Sequence, residues 1–226
     1  MSIRITAMTL LIFDCDGVLV DSEILAHETL LELMASLGHP MTIDEAIREF
    51  AGRSLADTIA AAERLLGRPI PEETGKHYGA RLLDRFRRDL VPVAGVRDAI
   101  LALPHRRCVA SSSSPERLRL VLDVTGLAPL FFDSVFSAVH VAHGKPAPDL
   151  YLFAARSLGT APEDCIVIED TTRGVTAGRA AGMSVIGFAG ARHATPTLAD
   201  DLTRAGAQVV IRSMSELPAV VRRLAA

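Results

Sequence analysis

The chain has 226 residues, 49% of them apolar, and 24 Lys and Arg against 27 Asp and Glu leave a net charge of −3. That length suits one large domain or a core with a smaller partner, and the charge offers no cationic face to nucleic acid or an anionic membrane. No apolar run reaches the roughly 18 residues of a membrane span.

The three cysteines, Cys15, Cys108 and Cys165, each sit in an apolar strand-like stretch with no His at a recognisable spacing. Reduced, packed thiols of a cytoplasmic protein are expected, rather than a disulfide framework or a nucleophile. Met1 to Thr6 shows no long apolar stretch ending in a cleavage site, which supports the same expectation.

The first predicted element is Leu10-Leu11-Ile12-Phe13, an apolar run of the kind that forms a parallel strand covered on both faces. It runs directly into Asp14-Cys15-Asp16-Gly17-Val18. Residues 22–90 then read as helix alone. Leu30, Leu33, Met34 and Leu37 share a face before Gly38, and Thr42-Ile43-Asp44-Glu45 has the form of a capping box. Ser54-Leu55-Ala56-Asp57 opens a helix with Leu55, Ile59, Ala62 and Leu66 on one face, stopped by Gly67. Pro71-Glu72-Glu73 opens the next, which carries Leu82, Leu83 and Phe86. Its Arg81, Arg85 and Arg88 stripe, beside Asp84, is expected to be a solvated face.

From Val91-Pro92 onward strands and helices alternate, with strands predicted at 107–110, 134–137, 165–169, 184–188 and 208–211. The expected fold is α/β, a doubly wound Rossmann-like parallel-sheet core of residues 1–20 and 92–226 with an inserted all-helical cap domain at 21–91. The insertion's ends would meet at the sheet's carboxyl edge and make it a lid over Asp14 and Asp16.

Open α/β sheets bind ligands beyond the carboxyl ends of their strands. Two Asp one residue apart resist ionising together there, so they imply a cation, a proton-transfer role, or both. A second strand end, Cys108-Val109-Ala110-Ser111, precedes a helix start at Pro115. The Ser111 hydroxyl and the N–H groups from Ser112 onward suit a phosphate oxygen, the other reading being a serine-rich loop with an N-cap. The third motif is Gly144-Lys145-Pro146, with one of only two lysines in the chain. Held in a Gly/Pro turn, its ammonium suits a nucleophilic Asp and a phosphate, against the reading of a solvated surface lysine. The fourth is Cys165-Ile166-Val167-Ile168-Glu169-Asp170. Its acids either cap the next helix or join Asp14 and Asp16 as hard oxygen ligands for Mg²⁺. A calcium loop is excluded by Val18, and no P-loop or G-x-G-x-x-G fingerprint occurs.

In this order the motifs resemble the haloacid dehalogenase-like superfamily, in its phosphatase branch with a helical cap after the first strand. Asp14-Cys15-Asp16-Gly17-Val18, Ser111, Lys145 and Glu169-Asp170 carry the resemblance, and Asp21-Ser22-Glu23 and Ala181-Gly182-Met183 are also typical. The group of β-phosphoglucomutases and small sugar-phosphate phosphatases is the one it resembles in particular. The resemblance implies Mg²⁺-dependent hydrolysis of a small phosphorylated metabolite through an aspartyl-phosphate. Asp14 is then the nucleophile, and Asp16 the acid and later the base. Ser111, Ser112 and Lys145 grip the phosphate. Asp14, the Asp16 backbone carbonyl and Asp170 hold the metal, with Glu169 either in the metal shell or orienting a ligand water.

Mutases of that group carry a cap histidine, a cap-loop arginine and a lysine that fall here on Ala26, Leu55 and Ser114. His27 is one residue late, a turn of roughly 100° on a helix. Hydrolysis is therefore expected, with Arg53 the one residue that reverses this if the cap loop turns it inward. A non-catalytic protein on the same fold is disfavoured by the complete motif set, and a dehalogenase by Asp16 and Asp170. Substrate choice is expected from Glu23, Gly52, Arg53 and Ser54, with His27, against the reading of an ordinary loop before a capped helix. No metal arrangement is expected of His77, His105, His140, His143 or His193. The protein is expected to be a monomer or weak homo-oligomer.

Overall fold

A computed structural model describes residues 9–50, 53–131 and 134–224. Its six parallel strands lie in the order β3-β2-β1-β4-β5-β6. The apolar run becomes β1 (Leu10–Phe13), with all four residues buried between β2 (Arg106–Ser111) and β4 (Cys165–Glu169). β3 (Val135–Ser137) flanks β2, while β5 (Ser184–Phe188) and β6 (Val209–Ile211) extend the other side. This doubly wound order reverses direction between β1 and β4, which opens a crevice at their carboxyl ends.

Side chains alternate across the sheet and feed two cores. Leu11, Phe13, Val109, Ile166, Ile168 and Ile186 face α5 (Val96–Leu101), α6 (Pro115–Val124) and α10 (Leu217–Leu224). Leu10, Ile12, Cys108, Ala110, Val167 and Val185 face α7 (Asp149–Ser157), α8 (Thr172–Ala180) and α9 (Leu198–Ala205).

Between β1 and Pro92 the described residues form helices: α1 (Ser22–Ser36), α2 (Ile43–Phe50), α3 (Leu55–Leu66) and α4 (Glu72–Asp89). Their entry and exit strands run side by side, since Asp21 N–H donates to Val91 O at 3.0 Å and Val93 N–H to Leu19 O at 3.0 Å. Leu30, Met34, Phe50, Leu82 and Phe86 join the apolar cluster of the α6 side of the sheet. The capping signals hold: Thr42 and Glu45 exchange bonds, and Ser54 Oγ accepts from Asp57 N–H at 3.1 Å. Gly67 takes the left-handed C-cap of α3 at φ 66°.

Leu55, at the first turn of α3, lines a cavity and is 44% exposed. The Arg81, Arg85 and Arg88 stripe is solvent-facing as expected, with Arg81 and Arg88 exposed, but Arg81 and Arg85 also reach across to Glu32 and Glu28 and tie α4 to α1. No helix among the described residues is long and apolar enough to cross a membrane.

Candidate active site

Four carboxylates converge where β1 and β4 end. Asp14 follows β1 directly, Glu169 closes β4, and Asp170 comes next; all three are buried, with ligand oxygens within 4.8 Å of one another. Asp16 stands two residues after Asp14, immediately before Gly17, which takes φ +79°. A Cβ there would lie 1.9 Å from Asp170 Oδ2, so the close approach and the backbone conformation both demand glycine.

Lys145 is buried at 5% exposure, which rejects the solvated reading. Seven residues (138–144), a short helical turn and a loop, separate it from Ser137, the last residue of β3, and its side chain reaches back to the site. Its Nζ donates to Asp14 Oδ1 at 2.6 Å, Glu169 Oε1 at 2.8 Å and Ala110 O at 3.2 Å. Burial would lower this ammonium, but Asp14 and Glu169 outweigh it and hold it well above its ordinary value. Burial, with Glu169, Asp170 and Asp16 alongside, pushes Asp14 up against the pull of Lys145.

Asp16 is in a different environment. Burial would raise it, yet Arg117, Ser113 and Ser22 together hold its carboxyl below the usual carboxylate range. Its Oδ1 accepts from Arg117 Nη2 and from Ser22 Oγ, both at 2.6 Å, and its Oδ2 from Ser113 Oγ at 2.6 Å. Arg117 also lies over the Phe86 ring of α4, 4.8 Å from the centroid. Arg117 and Ser113 were not singled out from sequence, and Ser22 was noted only within the Asp21-Ser22-Glu23 stretch. Arg117 had a legible signal, since it falls one turn into the helix whose N-terminus faces the site.

Glu169 has no spare acceptor position. Beyond Lys145, Oε1 accepts from Tyr151 O–H at 3.1 Å, while Oε2 accepts from Thr171 N–H at 2.7 Å and Oγ1 at 2.9 Å. Asp170 is the reverse: both oxygens are buried and neither has a hydrogen bond of sound geometry. His193 Nε2 stands 3.1 Å from Asp170 Oδ2. Burial would lower His193, but Asp170 outweighs it and raises the imidazole to about 9; burial lifts Asp170 to about 6 against that pull. His193 thus belongs to this cluster, contrary to its dismissal from sequence.

An unbonded buried carboxylate is costly unless a cation completes it. Four acids face Lys145, Arg117 and His193, and the donors are hard oxygens. This set fits Mg²⁺.

Ser111, Ser112, Glu23 and Arg53 line the same small cavity as Asp14, Asp16, Lys145 and Glu169. Ser111 Oγ accepts from Ser113 N–H at 3.1 Å, at the mouth of α6. Arg53 borders this cavity, but its guanidinium is held on its own helix, Nε donating to Glu49 O at 2.6 Å and Nη2 to Glu49 Oε1 at 3.4 Å, so it is not presented to the site as a free phosphate grip. Ser54 instead caps α3 and lines a neighbouring cavity of about 700 Å³ between α3, α4 and the core loops. His27 is buried behind Glu23, 3.9 Å from its carboxylate, and lowered by that burial. Gly52 lies outside the described residues.

Comparison with known proteins follows the same lines. Residues 8–182 match the family model described as haloacid dehalogenase-like hydrolase. The 6-phosphogluconate phosphatase of Escherichia coli K12 is 27% identical over 84% of this chain and 87% of its own length. The fructose-1-phosphate phosphatase of the same strain is 30% identical over 78% of this chain and 94% of its own. A crystal structure of a haloacid dehalogenase-like protein of unknown function from Agrobacterium tumefaciens superposes with a TM-score of 0.85 and 39% identity, covering 97% of this chain and all (100%) of that one.

Proposed function

We propose, because the chain belongs to the haloacid dehalogenase-like hydrolase family, that it is a Mg²⁺-dependent phosphomonoesterase that hydrolyses a small sugar phosphate through an aspartyl-phosphate. The observation that carries this reading is the Asp14 carboxylate held by Lys145 Nζ at 2.6 Å, beside the unbonded Asp170, at the switch point of the sheet. The names of the two phosphatase relatives support a sugar phosphate as substrate.

Asp14 is the nucleophile. Its oxygen bonds to phosphorus as the bond to the leaving alcohol breaks. Ser111, the N–H groups of Ser112 and its neighbours at the start of α6, and Lys145 hold the phosphoryl oxygens. Asp14, Asp170 and the backbone carbonyl of Asp16 hold Mg²⁺, while Glu169, filled by protein donors, places Lys145 and Thr171 behind them. Bound there, the ion neutralises charge on the transferring phosphoryl group.

Asp16 gives its proton to the leaving oxygen and takes one back from the water that cleaves the acyl phosphate. For the first task it must carry a proton, so its grip by Arg117 has to be exchanged when the leaving group enters. Residues 21–91 act as a cap over the core of residues 1–20 and 92–226. From it Glu23 and Arg53, flanked by Gly52 and Ser54, read the sugar.

The test is a Mg²⁺-supplemented panel of hexose, hexitol and sugar-acid phosphates. Inorganic phosphate should be released, with no isomeric sugar phosphate accumulating, and excess chelator should stop the reaction. Asp14→Asn should abolish both turnover and phosphoenzyme. Turnover above a few per cent in that variant would remove Asp14 as nucleophile. Isomer formation without phosphate release, lost in Arg53→Ala, would make the protein a mutase.

A further inference from the structure

Asp170 is the one acid of the cluster with no sound hydrogen bond to orient it. A carboxylate that ligates a metal is ordinarily fixed by an outer partner, so something has to set its direction. Two groups press on its Oδ2. One is the Gly17 backbone, where an added Cβ would stand 1.9 Å from that oxygen and 2.8 Å from His193 Cε1. The other is the His193 ring, with Nε2 at 3.1 Å. Oδ2 is therefore wedged between backbone and imidazole, and Oδ1 is left without a partner.

His193 is itself held in place. It lies in the loop after β5, is 8% exposed, and its neighbour Arg192 donates its N–H to Asp21 Oδ1 at 3.3 Å. Ala189 N–H bonds to Ile211 O at 2.9 Å, and Ala194 N–H to Ala191 O at 3.0 Å, so the loop is tied on both sides of the ring. Gly190 passes so near Arg212 that a Cβ would meet its carbonyl oxygen at 2.1 Å. The ring's position thus comes from packing against β6 and the start of α1, independently of any ion.

We propose that His193 is a positioning residue for the metal site: its Nε2, 3.1 Å from Asp170 Oδ2, pairs with that oxygen and leaves Oδ1 to face a divalent cation. This rests on the metal reading given above. Partners of this kind are worth about 10- to 100-fold in metal affinity.

The experiment measures Mn²⁺ affinity of the full metal-free chain from the free-ion EPR signal, with no substrate present. His193→Ala should bind Mn²⁺ about 10- to 100-fold more weakly than wild type. His193→Gln places an amide N–H near the ring's Nε2 and should recover most of that loss, which a purely structural role would not predict. Thermal melts check that each variant is folded, and the Gln variant carries the test if the Ala variant is not. Wild-type affinity in His193→Ala, or a Gln variant as weak as Ala, overturns the proposal. Asp170→Ala, run alongside, separates the two ideas. If it loses Mn²⁺ while His193→Ala does not, only the role of His193 fails. If it too binds like wild type, the metal reading fails with it.

Discussion

Two aspartates only one residue apart end in opposite electrostatic states. Asp14 faces Lys145 and the other acids, while Asp16 turns away into Arg117, Ser113 and Ser22. The Arg117–Asp16 pair is partly buried, and losing a hydrogen bond to a charged group costs about 1.5–3 kcal/mol. Arg117→Met should therefore cost about that much in urea unfolding; a change below about 0.5 kcal/mol, the ordinary surface value, would mean the pair carries nothing. The thiols give a second prediction at this scale. Burial, with Asp164 and Glu163 nearby, pushes Cys165 up to about 12, and burial raises Cys15 and Cys108 as well. A thiol is reactive as its thiolate, which none of the three supplies near pH 8. Ellman's reagent should count no fast-reacting thiols in the native protein and three in denaturant, matching the three cysteines of the chain. A fast native thiol would contradict this packing.

Helix α8 shows how an element, rather than a residue, sets the site. Thr171 caps it by accepting from Gly174 N–H at 3.0 Å and donates to Glu169, which in turn anchors Lys145. A Cβ on Gly174 would stand 1.7 Å from Glu169 Oε1. Gly174→Ala should thus displace Glu169 and Lys145 together and cut kcat at least 10-fold, a rough lower bound for a misplaced constellation. Alanine suits a helix better than glycine, so unchanged activity with a higher Tm would show that Glu169 has room to move. On α4 the opposite holds. Arg85 lies at the surface between Glu28 and Glu32, and surface pairs are worth about 0–1 kcal/mol, so Arg85→Ala should lower stability by no more than that in the same unfolding assay.

For the whole molecule, the informative feature is the cavity of about 700 Å³ where α3 and α4 face the core loops. Leu55 from α3 and Val139 from the loop after β3 both line it, at 44% and 65% exposure. Ser112, Ser113, Arg117 and Lys145 border both this cavity and the one around Asp14. On the proposed reading of residues 21–91 as a cap that closes on substrate, a charge at Val139 would be desolvated on closure. Val139→Asp should raise KM several-fold with little change in kcat or in Tm, because the residue is exposed at rest. An unaltered KM would place the substrate's leaving group elsewhere.

The strands, the helical run from 22 to 90 and the capping residues at Thr42, Ser54 and Gly67 follow from local periodicity and turn chemistry, and were legible in sequence. Asp14, Asp16, Ser111, Lys145, Glu169 and Asp170 were named through the order of their motifs and the family these resemble, because taken singly Ser111 and Lys145 also read as a capped loop and a surface lysine. Tertiary structure alone decided the rest. Arg117 meets Asp16 across 101 residues, and His193 meets Asp170 from a loop with no motif of its own. Arg81 and Arg85 find Glu28 and Glu32 on another helix. Whether Glu169 has a free lone pair depends on Tyr151 and Thr171, which sequence reasoning did not single out. A one-dimensional pattern records which side chains share a face, but a buried charge is matched by whatever the fold brings within hydrogen-bond reach.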